Sequence, residues 1–161
     1  MANAFTPGGG YRKGDGAQEE NLFRRSNYCI SLDPELDPQL QQKYDTKVYY
    51  CDDHGKRKEI RNAQSMYRMD EYGAICTSGI TFFRDNEKEK GYSLLSKPIY
   101  NVSAIALAAY RDPDITKENR LTRKFAVGTR KKIENFFSIA LINGYDTLVL
   151  SALGCGAFKN P

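Results

Sequence analysis

Tryptophan is absent from this 161-residue chain, and histidine occurs once, at His54. Without a second histidine, no His-rich metal site and no relay between histidines can form. The four cysteines, Cys29, Cys51, Cys76 and Cys155, are scattered with no Cys-x-x-Cys pair. They read as reduced thiols; a zinc site from Cys51, His54 and two distant cysteines has no recognisable knuckle spacing, so no metal is expected. Nothing approaches the run of ~20 apolar residues that spans a bilayer. The first residues, Met1 to Thr6, lack both a basic leader and an apolar signal core. The reading is an intracellular protein, in the cytoplasm or, in a eukaryotic cell, the nucleus, with no membrane partner. Internal repeats and low-complexity tracts are also lacking, which excludes solenoids and disordered tails.

Eleven tyrosines and eight phenylalanines are plentiful, and 161 residues suffice for a single domain over 1–161 with a real core. The formal charge of +4 mildly favours an anionic partner and is also ordinary for solubility. Two basic triplets, Lys56-Arg57-Lys58 and Arg130-Lys131-Lys132, are candidates for nucleic-acid contact. They lack the interleaved aromatics of a stacking platform, so solvated faces explain them more simply and no specific nucleic acid is expected.

The most informative stretch is Gly8-Gly9-Gly10, followed by Gln18-Glu19-Glu20. Three residues without Cβ let a ligand touch backbone, and adjacent acids at a helix start can supply a proton. The bland account is two charges well placed against the helix dipole, worth ~0.3–1 kcal/mol each. Asp15 is expected to cap this helix, which should run to about Tyr28. Prolines 34 and 38 mark turns. Residues 47–51 are expected to form a short strand, and 52–70 an exposed insertion without chemistry. Residues 74–78 and 81–84 read as β-prone runs split by Gly79. The apolar run 102–108 should be a central strand covered on both faces. Thr116 is expected to cap the last helix, whose stripe is Ile133, Phe136, Phe137, Ala140 and Leu141; Asn143-Gly144 stops it, and Gly128 is a candidate break. Residues 146–151 read as a buried strand after that helix, which argues α/β with parallel strands.

A second glycine-rich loop, Gly154-Cys155-Gly156-Ala157-Phe158, follows directly. Backbone N–H groups in such a loop at a strand's carboxyl end suit a phosphate, whereas a lone Gly-Cys-Gly is equally a tight surface turn.

Taken together, Asn3-Ala4, Pro7-Gly8-Gly9-Gly10, Gln18-Glu19-Glu20, Phe83-Arg84 and the Gly154 to Phe158 loop with Asn160-Pro161 resemble the microbial-type poly(ADP-ribose) glycohydrolases (PARG). The resemblance spans nearly the whole chain and implies a truncation at both ends. It implies a macrodomain-like three-layer α/β/α fold with a mixed, mostly parallel central sheet, incomplete at its edges. It also implies hydrolysis of ribose–ribose O-glycosidic bonds in poly(ADP-ribose) or ADP-ribosylated protein, with ADP-ribose as product and no cofactor. Carried over by position, Asn3 and Gly8, Gly9 and Gly10 contact the distal ribose, Gln18 and Glu19 orient it, and Glu20 is the catalytic acid. Gly154, Cys155, Gly156, Ala157 and Phe158 hold the diphosphate, and Arg84 is structural. The alternative is a module that binds ADP-ribose without cleaving it.

Overall fold

A computed structural model describes residues 2–52, 54, 56–61, 66–87 and 91–161. Helices α1 (Gln18–Arg25), α2 (Tyr28–Leu32) and α3 (Pro38–Gln41) precede strands β1 (Thr46–Cys51), β2 (Arg57–Arg61), β3 (Ala74–Arg84) and β4 (Leu94–Ala106), and helix α4 (Arg123–Ile142) follows. The strands form one sheet in the order β2-β1-β3-β4.

Every pairing in that sheet is antiparallel, which corrects the expected mostly parallel sheet. The connections explain it: β1 to β2 and β3 to β4 are joined by loops too short for the crossover of a dozen or more residues that parallel neighbours need. Gly79 does not split β3. It takes φ +77° within one continuous strand, where the register against β4 shifts between Thr77 and Ile80. β4 lies at the sheet edge rather than at its centre, starts at Leu94, and leaves Leu94, Ile99 and Tyr100 exposed.

The described residues make an α/β domain with helices packed on both faces of the sheet. Strand alternation divides the core: Val48, Ile75 and Ile80 face Phe23, Tyr28 and Leu32 of α1 and α2, while Tyr49, Ala74 and Cys76 face Ile139 of α4. Phe23 lies between Tyr11 and Tyr28 at centroid distances of 5.2 and 5.0 Å. The region read as an exposed insertion contributes edge strand β2, whose Arg57 and Lys58 suit an unpaired edge, and buries Met66 and Met69.

Helix ends also differ. α1 begins after Ala17, which gives no side-chain cap, and ends at Arg25; α3 has the cap, Asp37 accepting from the N–H groups of Gln39 and Leu40 with Pro38 at its first turn. The cap position of α4 is Thr122, not Thr116, and Asn143 with Gly144 at φ +76° ends it as expected. Gly128 does not break α4; it admits the Tyr110 ring, with Cζ only 2.8 Å from where a Cβ would stand. The side of α4 that is buried carries Gly128, Lys132, Asn135, Ile139 and, from the expected stripe, Ala140; Ile133, Phe136 and Phe137 line a groove of about 740 Å³ with β4 and residues 145–151, and Leu141 is exposed. Residues 146–151 form no strand. They lie beside edge strand β4 in that groove with no strand pairing to it, and Val149 and Leu150 stay exposed.

Candidate functional site

The two glycine-rich segments meet around one piece of backbone, the exit from β4. Ala2 donates to the Leu107 carbonyl at 2.9 Å, tying the first motif to this segment. A few residues on, Asp112 N–H donates to the Phe158 carbonyl at 2.8 Å, and the Asn160 amide donates to the Tyr110 carbonyl at 2.7 Å. Ser151 Oγ donates to Gln18 Oε1 at 2.9 Å, a direct bond between the approach to the second loop and the start of α1.

The first half is organised by carboxylates reading backbone. Glu19 is buried and accepts from Asn3 N–H at 2.5 Å and Gly8 N–H at 3.0 Å, so it ties the incoming chain to α1. Burial pushes its pKa up to about 7, opposed by the Asn3 N–H and helped by the charge of Glu20. Asn3 spends its side-chain oxygen on the N–H groups of Phe5 and Thr6, which bends the chain toward the glycines.

Glu20 is 8% exposed. Its Oε1 accepts from Gly10 N–H at 3.1 Å, while its Oε2 is buried with no hydrogen-bond partner among the described residues. A buried carboxyl oxygen without a partner is costly, and sites that persist with one commonly hold it ready for a ligand or reactant. The glycines make this approach feasible. Gly9, at φ +53°, would set a Cβ against Glu20 Oε1 and 3.3 Å from its Cδ. Gly8, at φ +66°, would drive one into the Phe23 ring, and Gly10 would meet the carboxylate of Asp15. Asp15 therefore packs on the turn instead of capping the helix.

Sequence reasoning missed the fastenings of this turn. Arg24 donates through Nη2 and Nε to the Tyr11 carbonyl at 2.7 and 3.2 Å, and both Tyr11 Oη and Arg12 Nη2 donate to buried Asp33. An acid 13 residues past Glu20 gives no motif, so only the fold could pair it with Tyr11.

The second half is an open loop on a tied base. Gly154 is buried at φ +85° with the Asn160 side chain where a Cβ would stand, 2.5 Å from Nδ2. Asn160 Nδ2 also reaches the Gly154 carbonyl at 3.3 Å and that of Phe158 at 3.1 Å. Above that base, Cys155, Gly156 and Ala157 are exposed and Phe158 half-buried, and among the described residues their N–H groups have no partner. Free backbone donors in succession form a concavity suited to an anion. Arg84 lies away from this centre, donating to the Tyr92 carbonyl at 3.1 Å. The four cysteines are free, and among the described residues no group of His, Cys, Asp or Glu could hold a metal ion. No helix there is long and apolar enough to cross a membrane.

Comparison with known proteins gives the site its context. The catalytic-domain family of microbial-type PARG matches residues 1–85 of the 161. Among solved structures, the poly(ADP-ribose) glycohydrolase from Thermomonospora curvata aligns over 99% of this chain and 49% of its own, with 26% identity and a TM-score of 0.64. The same enzyme bound to the inhibitor ADP-HPD gives 26% identity and a TM-score of 0.62, covering 99% of this chain and 51% of that one. The Deinococcus radiodurans enzyme in complex with ADP-ribose shares the fold at 24% identity and a TM-score of 0.60, over 99% and 54% of the two chains. This chain thus spans about half the length of those structures. No curated protein matches it significantly. A family match over more than half of the residues, running through the whole of the acidic turn, establishes kinship: the chain belongs to the microbial-type PARG catalytic-domain family.

Proposed function

We propose that this chain is a poly(ADP-ribose) glycohydrolase acting as one domain, with Glu20 as general acid. The observation that carries the reading is the Glu20 carboxyl, fixed through Oε1 by Gly10 N–H and buried at Oε2 without a partner among the described residues. Cleavage breaks the bond between the anomeric carbon of the distal ribose and the 2′-oxygen of its neighbour. Glu20 gives its proton to that departing oxygen as positive charge develops on the ring. Water then adds to the anomeric carbon and returns a proton to Glu20, leaving ADP-ribose and a shortened polymer.

The other residues bind and orient. Gly8, Gly9 and Gly10 offer backbone without side-chain obstruction to the distal ribose, beside Asn3 and Gln18. Glu19 fixes the distance between chain and helix through its two backbone bonds. Cys155, Gly156, Ala157 and Phe158 present to the diphosphate N–H groups that have no partner among the described residues. Two anchored ends hold the distal ribose near Glu20, converting binding energy into orientation.

The test measures ADP-ribose release from poly(ADP-ribose) beside calorimetry with ADP-ribose. Wild type is expected to release product and Glu20→Gln to bind ADP-ribose but release at least ~100-fold less, the usual minimum for a lost general acid. Binding with no release by either protein would assign a non-catalytic ADP-ribose module. No binding by either would end both readings.

A further inference from the structure

A buried cluster away from the reacting groups links the two halves of the cradle. Lys132, 4% exposed in the middle of α4, donates its ammonium to the Glu71 carbonyl and lies 4.7 Å from the centroid of the Tyr110 ring. Tyr110 Oη donates to the Glu71 carboxylate, and Asn135 Nδ2 donates to the Tyr72 carbonyl at 2.5 Å. Segment 66–73 continues from this cluster to the acidic turn, where Met69 N–H donates to the Ala4 carbonyl at 2.9 Å. In the other direction, the Tyr110 carbonyl receives the Asn160 amide that holds the base of the Gly154 loop.

We propose that Glu71, Tyr110 and Lys132 are positioning residues, forming a brace that sets the separation between the Glu20 turn and the loop of Gly154 to Phe158. This rests on the glycohydrolase reading for its consequence and on geometry for its existence. A buried ammonium is a poor choice for stability alone, because an apolar side chain of similar length would fill the space without desolvating a charge. Burial pushes the Lys132 pKa down to about 8, with the Glu71 charge pulling it back up. What the amine supplies is direction: three donors with one anchored on a backbone carbonyl. Gly128 completes the arrangement, since only a residue without Cβ lets Tyr110 lie against α4.

A ligand that bridges two segments binds in proportion to the fraction of time they stand at the right spacing. Loosening the brace therefore weakens binding more than turnover of what is bound, provided that Glu20 keeps its Gly10 contact.

Two variants act on the brace from opposite sides without touching the cradle: Tyr110→Phe removes the hydroxyl, and Gly128→Ala pushes on the ring. Amide hydrogen exchange of the ligand-free protein is expected to quicken at Met69 and Asn160 together, while Val48 and Ile75 in the sheet keep wild-type protection. The ADP-ribose Kd and the polymer KM are expected to rise about tenfold, the scale of one charge-assisted hydrogen bond, with kcat within about threefold of wild type. Exchange that quickens at one end only, at neither, or throughout the sheet overturns the brace, as does an unchanged Kd with both amides loosened. Coupled exchange in a protein that never binds ADP-ribose would leave the brace standing and remove the glycohydrolase reading.

Discussion

Replacing Gly9 by alanine tests the acidic turn with a single methyl group. Gly9 sits at φ +53°, and an added Cβ would press on Glu20 Oε1, stand 3.3 Å from Glu20 Cδ and 3.6 Å from Glu19 Oε2. Two penalties follow. The left-handed backbone costs a residue with Cβ about 1–2 kcal/mol. The contact then forces the Glu20 carboxyl off its Gly10 hydrogen bond, and an acid displaced by an ångström loses about a hundredfold in rate, or about 2.7 kcal/mol. Gly14 separates the two penalties, because it has φ +90° and nothing within 4 Å of its added Cβ. Gly14→Ala therefore carries the backbone cost alone. Urea unfolding should show both variants destabilised by about 1–2 kcal/mol, with Gly9→Ala the more affected. ADP-ribose release should fall about a hundredfold for Gly9→Ala and stay within about twofold of wild type for Gly14→Ala. Equal turnover by Gly9→Ala and Gly14→Ala would refute the claim that this turn positions the acid.

Glu19 should make stability fall as pH rises. Its folded pKa of about 7 lies above the ordinary 4.5, so the folded state holds a proton that the unfolded chain has released. The contribution is complete below pH 4.5 and lost on the way up to about 7. Urea titrations at pH 5 and 7.5 should show wild type losing up to about 3 kcal/mol relative to Glu19→Gln across that window; a pH-independent difference would contradict it. Removing the α3 cap by Asp37→Ala should cost about 1 kcal/mol by thermal unfolding and leave ADP-ribose release unchanged, since Asp37 serves only the N–H groups of Gln39 and Leu40. Asn160→Ala removes the one side-chain donor shared by the carbonyls of Gly154, Phe158 and Tyr110, and it should raise the ADP-ribose Kd by about tenfold or more in calorimetry while kcat changes little. A fall in kcat alone would place Asn160 with the chemistry instead of the binding loop.

Local chemistry was legible in the sequence where it depends on a few adjacent residues. The triglycine beside Gln18-Glu19-Glu20, the 46–51 strand, and the Asn143-Gly144 stop all follow from backbone freedom, alternation and capping, and each is close to its expected place. What depends on a distant partner was not legible. The run 102–108 reads as a central strand because it is apolar, but β4 pairs antiparallel with β3 alone and stands at the sheet edge among the described residues. Residues 146–151 have strand composition but form no strand beside edge strand β4. Of the stripe on α4, Ala140 is buried and Phe136 packs on the core as a core face requires, but the Tyr110–Lys132–Glu71 cluster holds the rest of the buried side, and no spacing rule anticipates a buried lysine. The site divides in the same way: its glycines and acids, with Asn160, are motif, while Arg24 and Asp33, which hold the acidic turn, are recognisable only once the chain has folded.

A crystal structure of this chain with ADP-ribose tests the cradle most directly. The expected map has the distal ribose within hydrogen-bond reach of Glu20 Oε2 and the diphosphate on the N–H groups of Cys155 to Phe158, both glycine segments touching one ligand. ADP-ribose seated instead in the groove between β4 and α4, with Glu20 Oε2 still unpartnered, would contradict it.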